Sequence, residues 1–388
     1  MIHSRQFAYI NPKILKWARE QSGLTLNEAA GSKISLIKLE KAELGQEKLT
    51  FNQLKFLARK YRRPIGFFYL NAPPNEIDLI EDFRTINSTQ VKYSPLLRDE
   101  IIRIKEKREL AIKFQDYDKK YDYSWINKIS PNKNPERMAE EILKLLDMTV
   151  DLRKKCKTSY DAFNTWKKTI ELKGILIFQL LKIPITEMRG FSIADTPFPV
   201  IVLNRSDSPL GRLFTLLHEF VHILIKRGGI CTINEMELSH FETERFCNAV
   251  AGATLVPKKL LITHQIVQEH KTDKIWSHEE LNSLKNYFWA SKEVILRRLL
   301  DMHLTSKEFY QQKRAEWQSL PAKKGGGPER PPRRVLLTNS HNFIKIVLNA
   351  MYDEQISMSD VSYYLNMSLK HLNELENELE GLKSHKLV

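Results

Sequence analysis

The chain has 388 residues, 42% of them hydrophobic and 28% charged, with a formal net charge of +14. That length supports two to four folding units, and the composition excludes a disordered, collagen-like or membrane-embedded chain. The positive balance permits nucleic-acid or acidic-partner binding and is uneven, since residues 1–70 hold 13 Lys/Arg against 5 Asp/Glu.

Residues 12–70 read as short helices: PKILKWAREQ stops at Gly23, TLNEAA follows, SLIKLEKAE runs to Gly45, and TFNQLKFLARKYRR runs to Pro64. Thr25 and Thr50 are expected N-caps, Thr25 with Glu28 as a capping box. Short helices joined by tight Gly-containing turns suit a helix-turn-helix module or a small helical bundle. NAPPN (71–75) is a break, and 95–120 reads as a charged helix with Ile101, Ile104, Leu110 and Phe114 at helical spacing. Helices are expected again over 135–172, followed by two strands, GILIFQLL and FPVIVLN (198–204). RLFTLLHEFVHILI is apolar nearly all round, which predicts a buried helix. Helices resume near 243, with breaks at Pro257 and Thr272, and reach about 319. PAKKGGGPERPPRR then reads as a flexible basic linker before a helical tail over 340–380 with a break in ISMSDVSYYLNMS.

Cys156, Cys231 and Cys247 form no C-x-x-C pair, so neither a disulfide framework nor a cysteine zinc site is indicated and a reducing compartment fits. The opening MIHSRQFAYINPK has no apolar signal core, and no window is apolar for the roughly 18 residues of a spanning helix. The expected location is the cytoplasm, without a membrane partner.

His218-Glu219-Phe220-Val221-His222 is an HExxH pentapeptide. On a helix, positions i and i+4 lie about 40° apart, so both imidazoles leave one face and can grip one metal ion. Glu219 sits on the adjacent rim, where it can take the proton of an attacking water and pass it to a leaving amine. The bare pattern arises by chance at an appreciable rate, but Leu216, Leu217, Phe220, Val221, Ile223 and Leu224 surround it, and burying such polar groups among them is costly without a partner such as a metal ion. One Zn2+ per chain is the expected cofactor, and two imidazoles with a carboxylate also suit iron or manganese. For the third ligand, Glu244, Glu242 and His240 compete on spacing, with Asn248 one turn beyond Glu244 as a group that could orient a ligand. Tyr287 and Arg297 are available oxyanion partners, although Arg297 and Arg298 read first as helix-face charges.

These residues, together with NPKILKWAREQSGLTLNEAA, TFNQLKFLARKYRRPIGFFYL, EDFRT, GFSIADTPFPVIVLN, ETERFCNAVAGATLVP, SKEVILRRLLDMHLTSKEFYQQK and the tail FIKIVLNAMYDEQISMSDVSYYL, resemble the ImmA/IrrE metallopeptidases that carry an N-terminal helix-turn-helix of the XRE type. The resemblance implies a mostly helical α+β chain: an XRE-type domain at 1–72, a helical linker region at 73–134, a zincin-like, thermolysin-like peptidase core with a small sheet at 135–320, a Gly/Pro/Arg linker at 321–335 and a C-terminal helical domain at 336–388. Its E-x-x-x-N pattern implies Glu244 as third ligand, and it implies that the strand around Pro199 to Leu203 pairs with substrate. The implied activity is zinc-dependent cleavage of a protein, an XRE-type transcriptional repressor, which derepresses mobile-element, stress or toxin-linked genes. The alternative is a DNA-binding or partner-binding regulator, or an antitoxin beside a toxin, that keeps the zinc fold as structure. DNA contacts would come from Lys33, Ser35, Lys38 and Lys41, with Arg62 and Arg63 on the backbone. The chain departs from the family pattern in the stretch AAGSKISLIKLEKAELGQEKLT, which is about one residue short near the turn before the expected recognition helix, in Ala42 and Leu49 where Trp and Pro are common, and in Val221 where Gly is common.

Overall fold

The computed structural model describes residues 6–61, 63, 65–70, 72, 94–115, 121–128, 134–228, 240–270, 274–319 and 329–384. The chain divides into two units, residues 1–106 and 107–388, each with its own interior. Most of the described chain is helical and two small sheets complete it, an α+β composition. No helix among the described residues is long and apolar enough to cross a membrane.

In the first unit, strand β1 (Phe7–Ala8) pairs antiparallel with β2 (Leu49–Thr50). Between and after them come α1 (Pro12–Gln21), α2 (Leu26–Ala29), α3 (Leu36–Glu43) and α4 (Phe51–Lys60). The boundaries follow local chemistry. Asn11 accepts from Lys13 N and Pro12 opens α1, where its missing N–H costs nothing. Thr25 and Glu28 form the expected capping box, and Thr50 forms a second with Gln53. Ile14, Leu15, Ala18, Leu39, Leu54, Leu57 and Phe68 fill the interior. Within it, Arg19 clasps Glu43 through Nε–Oε1 at 2.7 Å and Nη2–Oε2 at 2.9 Å, so neither charge is buried unpaired. Before α3, α2 is a single helical turn, and a Gly31–Ile34 bridge follows it.

Helix α5 (Pro95–Lys113) follows; the second unit then continues with α6 (Pro135–Leu145), α7 (Val150–Lys154) and α8 (Ser159–Glu171). Its sheet contains β3 (Leu176–Leu180), β4 (Gly190–Ile193) and β5 (Val200–Asn204) in the order β3-β5-β4. β3 and β5 are the two strands read from sequence. β4 escaped that reading because GFSI is short and lacks a β-branched run. β5 is central, parallel to β3 and antiparallel to β4, so its backbone groups are taken on both sides. The expectation that Pro199 to Leu203 pairs with substrate is therefore corrected: β5 is the middle strand, and the sheet's outer edges belong to β3, on which a later helix packs, and to β4.

Against this sheet lies α9 (Pro209–Gly228), and α10 (His240–Leu255) packs on α9 and α6. Leu213, Leu216, Leu217, Phe220, Val221 and Leu224 of α9 are essentially solvent-free, as an all-round apolar helix requires. Trp125 stacks on Phe220 with ring centroids 5.7 Å apart. Helices α11 (Lys258–Ile262), α12 (Gln265–Glu269), α13 (His278–Phe288), α14 (Lys292–Asp301) and α15 (Lys307–Ser319) continue the core, with Pro257 in the N-cap position of α11.

The tail forms α16 (Pro331–Thr338), α17 (His341–Tyr352), α18 (Met358–Leu365) and α19 (Leu372–Ser384). Part of the expected linker is thus helical, because Pro331 and Pro332 fall in the first turn, where proline is compatible with a helix. These helices belong to the second unit: α16 packs on β3, Phe343 meets Phe178 edge to face at 5.4 Å, and buried Lys107 and Lys167 hold Asn339 at 2.7 and 3.2 Å. Residues 73–93 and 321–328, within the expected linkers, and Arg62 lie outside the described residues.

Candidate metal centre

The rigid packing of α9 fixes two imidazoles one turn apart. His218 Nε2 and His222 Nε2 stand 3.1 Å from each other, with side chains 13% and 21% exposed. Glu244, from the next helix, closes the triangle: its Oε2 is 3.2 Å from His218 Nε2 and its Oε1 is 3.0 Å from His222 Nε2. Three ligands about 2.0–2.1 Å from a tetrahedral ion would stand roughly 3.3 Å apart, so this donor set fits zinc with little rearrangement. Among the described residues, it is the one group of three or more His, Cys, Asp or Glu placed to hold a metal ion.

Electrostatics support a cation there. Burial opposes a charge on His222, yet contacts with Cys247 and Glu244 carry its imidazole up to about 11. Burial likewise opposes charge on Glu244, but hydrogen bonds from both imidazoles take its carboxyl well below the usual range. The cradle thus favours a positive charge between its arms, a role a divalent ion fills when bound. His218 Nδ1 is buried without a hydrogen-bond partner.

Glu219 lies on the same helix, 8% exposed, with Ser192 Oγ donating to its Oε2 at 2.9 Å. Burial pushes its carboxyl above the usual range, with the neighbouring imidazoles and Ser192 pulling the other way. β4 is pressed close to this helix by Gly190, where a Cβ would stand 2.5 Å from Thr215 Cγ2, 3.0 Å from Val202 O and 3.4 Å from Glu219 Cγ.

Helix α10 is anchored at its C-terminal end by two buried arginines. Arg298 Nε donates to Val256 O at 3.0 Å, and its Nη2 pairs with Glu136. Arg153 Nη2 donates to Leu255 O and, at 3.2 Å, to Phe288 O. Cationic donors on these carbonyls complement the helix dipole and hold the helix that presents Glu244. Arg298, read from sequence as a helix-face charge, is 4% exposed and structural. Arg297 does sit on the surface, paired with Asp301 at 3.0 Å. Tyr287 packs on His264 and Phe288.

The other expected positions divide as follows. Glu242 is exposed, and the side chain of His240 lies outside the described residues. Asn248 is exposed on α10 and hydrogen-bonds neither imidazole nor Glu244, so the structure does not bring it to the ligands. Cys247 is the residue that meets His222, buried among apolar groups that raise its thiol pKa. Ser192 and Cys247 were both missed from sequence, although Cys247 stands three residues after Glu244 and hence on a neighbouring part of the helix surface. In the first unit, Lys33, Ser35 and Lys41 are exposed, and Lys38 pairs with Glu47 at 3.2 Å. Arg63 lies over the rings of Trp17 and Phe67, 5.8 and 5.5 Å from their centroids.

Residues 172–300 match the family model described as the IrrE N-terminal-like domain, Peptidase_M78. The matched segment holds the three-stranded sheet, both ligand-bearing helices and the HExxH pentapeptide. No curated protein and no solved structure matches the chain.

Proposed function

We propose that this chain is a zinc-dependent endopeptidase of the ImmA/IrrE type, with His218, His222 and Glu244 holding the ion and Glu219 as the base. The observation that carries the reading is the triangle of donor atoms 3.0–3.2 Å apart beside a buried glutamate. A bound divalent ion would polarise the scissile carbonyl and acidify the attacking water. Glu219, buried and raised in pKa, takes the proton of that water and returns it to the leaving amine. An extended substrate adds as a further strand to the outer edge of β4, next to α9.

The substrate we propose is a protein, a transcriptional repressor of the XRE type, by the resemblance of the chain to peptidases that act on such repressors. The test is cleavage of purified repressor by the wild-type chain and by Glu219→Gln. Loss of cleavage in Glu219→Gln with the ion still bound supports the reading; no cleavage by the zinc-loaded wild type removes it. A second reading concerns the first unit, whose exposed Lys33, Ser35 and Lys41 favour contact with an anionic partner such as DNA. Steep weakening of duplex binding with salt, reduced by substituting these residues, would support it. If Glu219→Gln leaves the biological output unchanged, the chain acts instead as a regulator or antitoxin that keeps the ion for structure.

A further inference from the structure

Glu219 is held from outside its own helix. β4 alternates its side chains, so Gly190 and Ser192 share one face, and that face meets α9. The missing side chain at Gly190 lets the strand approach until Ser192 Oγ reaches Glu219 Oε2 at 2.9 Å. Both residues are 8% exposed, so water does not readily replace this bond. Oε2 is thereby engaged, whereas Oε1 makes no hydrogen bond among the described residues. A glutamate tethered only by its helix has three rotatable bonds, and a misplacement of about 1 Å in a reacting group can cost on the order of a hundredfold in rate.

We propose that Ser192 is a positioning residue for the base: its hydroxyl pins Oε2 so that Oε1 is presented to the space between His218, His222 and Glu244. The inference rests on the peptidase reading. It adds that the strand proposed to receive substrate also orients the base.

The test needs no substrate. The zinc-loaded full chain is titrated with acetohydroxamic acid, whose two oxygens can reach the ion and whose hydroxyl proton needs a neighbouring acceptor. Ser192→Ala should weaken binding about five- to tenfold, the scale of one ordinary hydrogen bond, with zinc content unchanged. Ser192→Thr, which restores the hydroxyl, should bind within about twofold of wild type. Glu219→Gln should also weaken binding, and Ser192→Ala added to it should cost little more, because Ser192 acts only through the Glu219 side chain. Should Ser192→Ala fail to fold, Ser192→Cys, similar in shape with a weaker donor, carries the same comparison. Wild-type affinity in Ser192→Ala, or effects that multiply in the double variant, overturns the role while leaving the peptidase reading intact. A wild-type chain that binds no zinc, or binds zinc but no hydroxamate, removes both.

Discussion

Replacing Arg298 with Met tests whether α10 is held as described. The change keeps most of the side-chain volume, so the cavity contribution is small. What is lost is the charged donor to Val256 O, a bond of 3.0 Å made by a side chain 5% exposed. A hydrogen bond from a charged group contributes about 1.5–3 kcal/mol, and a carbonyl left buried without a partner adds to the loss. Glu136 is 33% exposed and regains water, so its ion pair adds no more than about 1 kcal/mol. The expected loss is about 2–4 kcal/mol. For a unit larger than most single domains, at about 2 °C per kcal/mol, this lowers the thermal midpoint by roughly 4–8 °C. The assay is thermal unfolding of the full chain by circular dichroism in chelator, so that ion binding does not contribute. Arg297→Met is the control, since Arg297 is 49% exposed in an i,i+4 pair and should cost under about 0.5 kcal/mol. A midpoint for Arg298→Met no lower than that of the control would refute the reasoning.

Gly190→Ala places a methyl 2.5 Å from Thr215 Cγ2 and close to Glu219, so it should destabilise the chain by about 1–3 kcal/mol and weaken hydroxamate binding. Unchanged urea midpoint and affinity would contradict the close approach of β4 to α9. Phe220→Ala, at a fully buried position stacked on Trp125, should cost about 3–5 kcal/mol in urea unfolding. Less than about 1 kcal/mol would mean that the HExxH helix is less tightly packed than its burial implies.

The ligand helix was readable because a continuous apolar run, an HExxH spacing and a flanking strand all point to the same buried helix. The caps at Thr25 and Thr50 were readable because they depend on neighbours three residues away. What escaped depends on contacts distant in sequence. β4 is four residues with Gly and Ser, and only its pairing with β5 makes it a strand. Ser192 reaches a glutamate 27 positions away, and Arg298 caps a carbonyl 42 positions away. Nothing local distinguishes either from a surface residue. The substrate-strand expectation failed for a related reason: composition favours β5, but strand order puts β5 in the middle and leaves the outer edges to β3 and β4.

The most direct measurement is zinc content by elemental analysis after metal loading and exhaustive dialysis, for wild type, His222→Ala and Glu244→Ala. One zinc per wild-type chain, with both variants losing most of it, is the expected result. A wild-type chain that retains none, or a Glu244→Ala chain that retains zinc as tightly as wild type, would contradict the site on which the account rests.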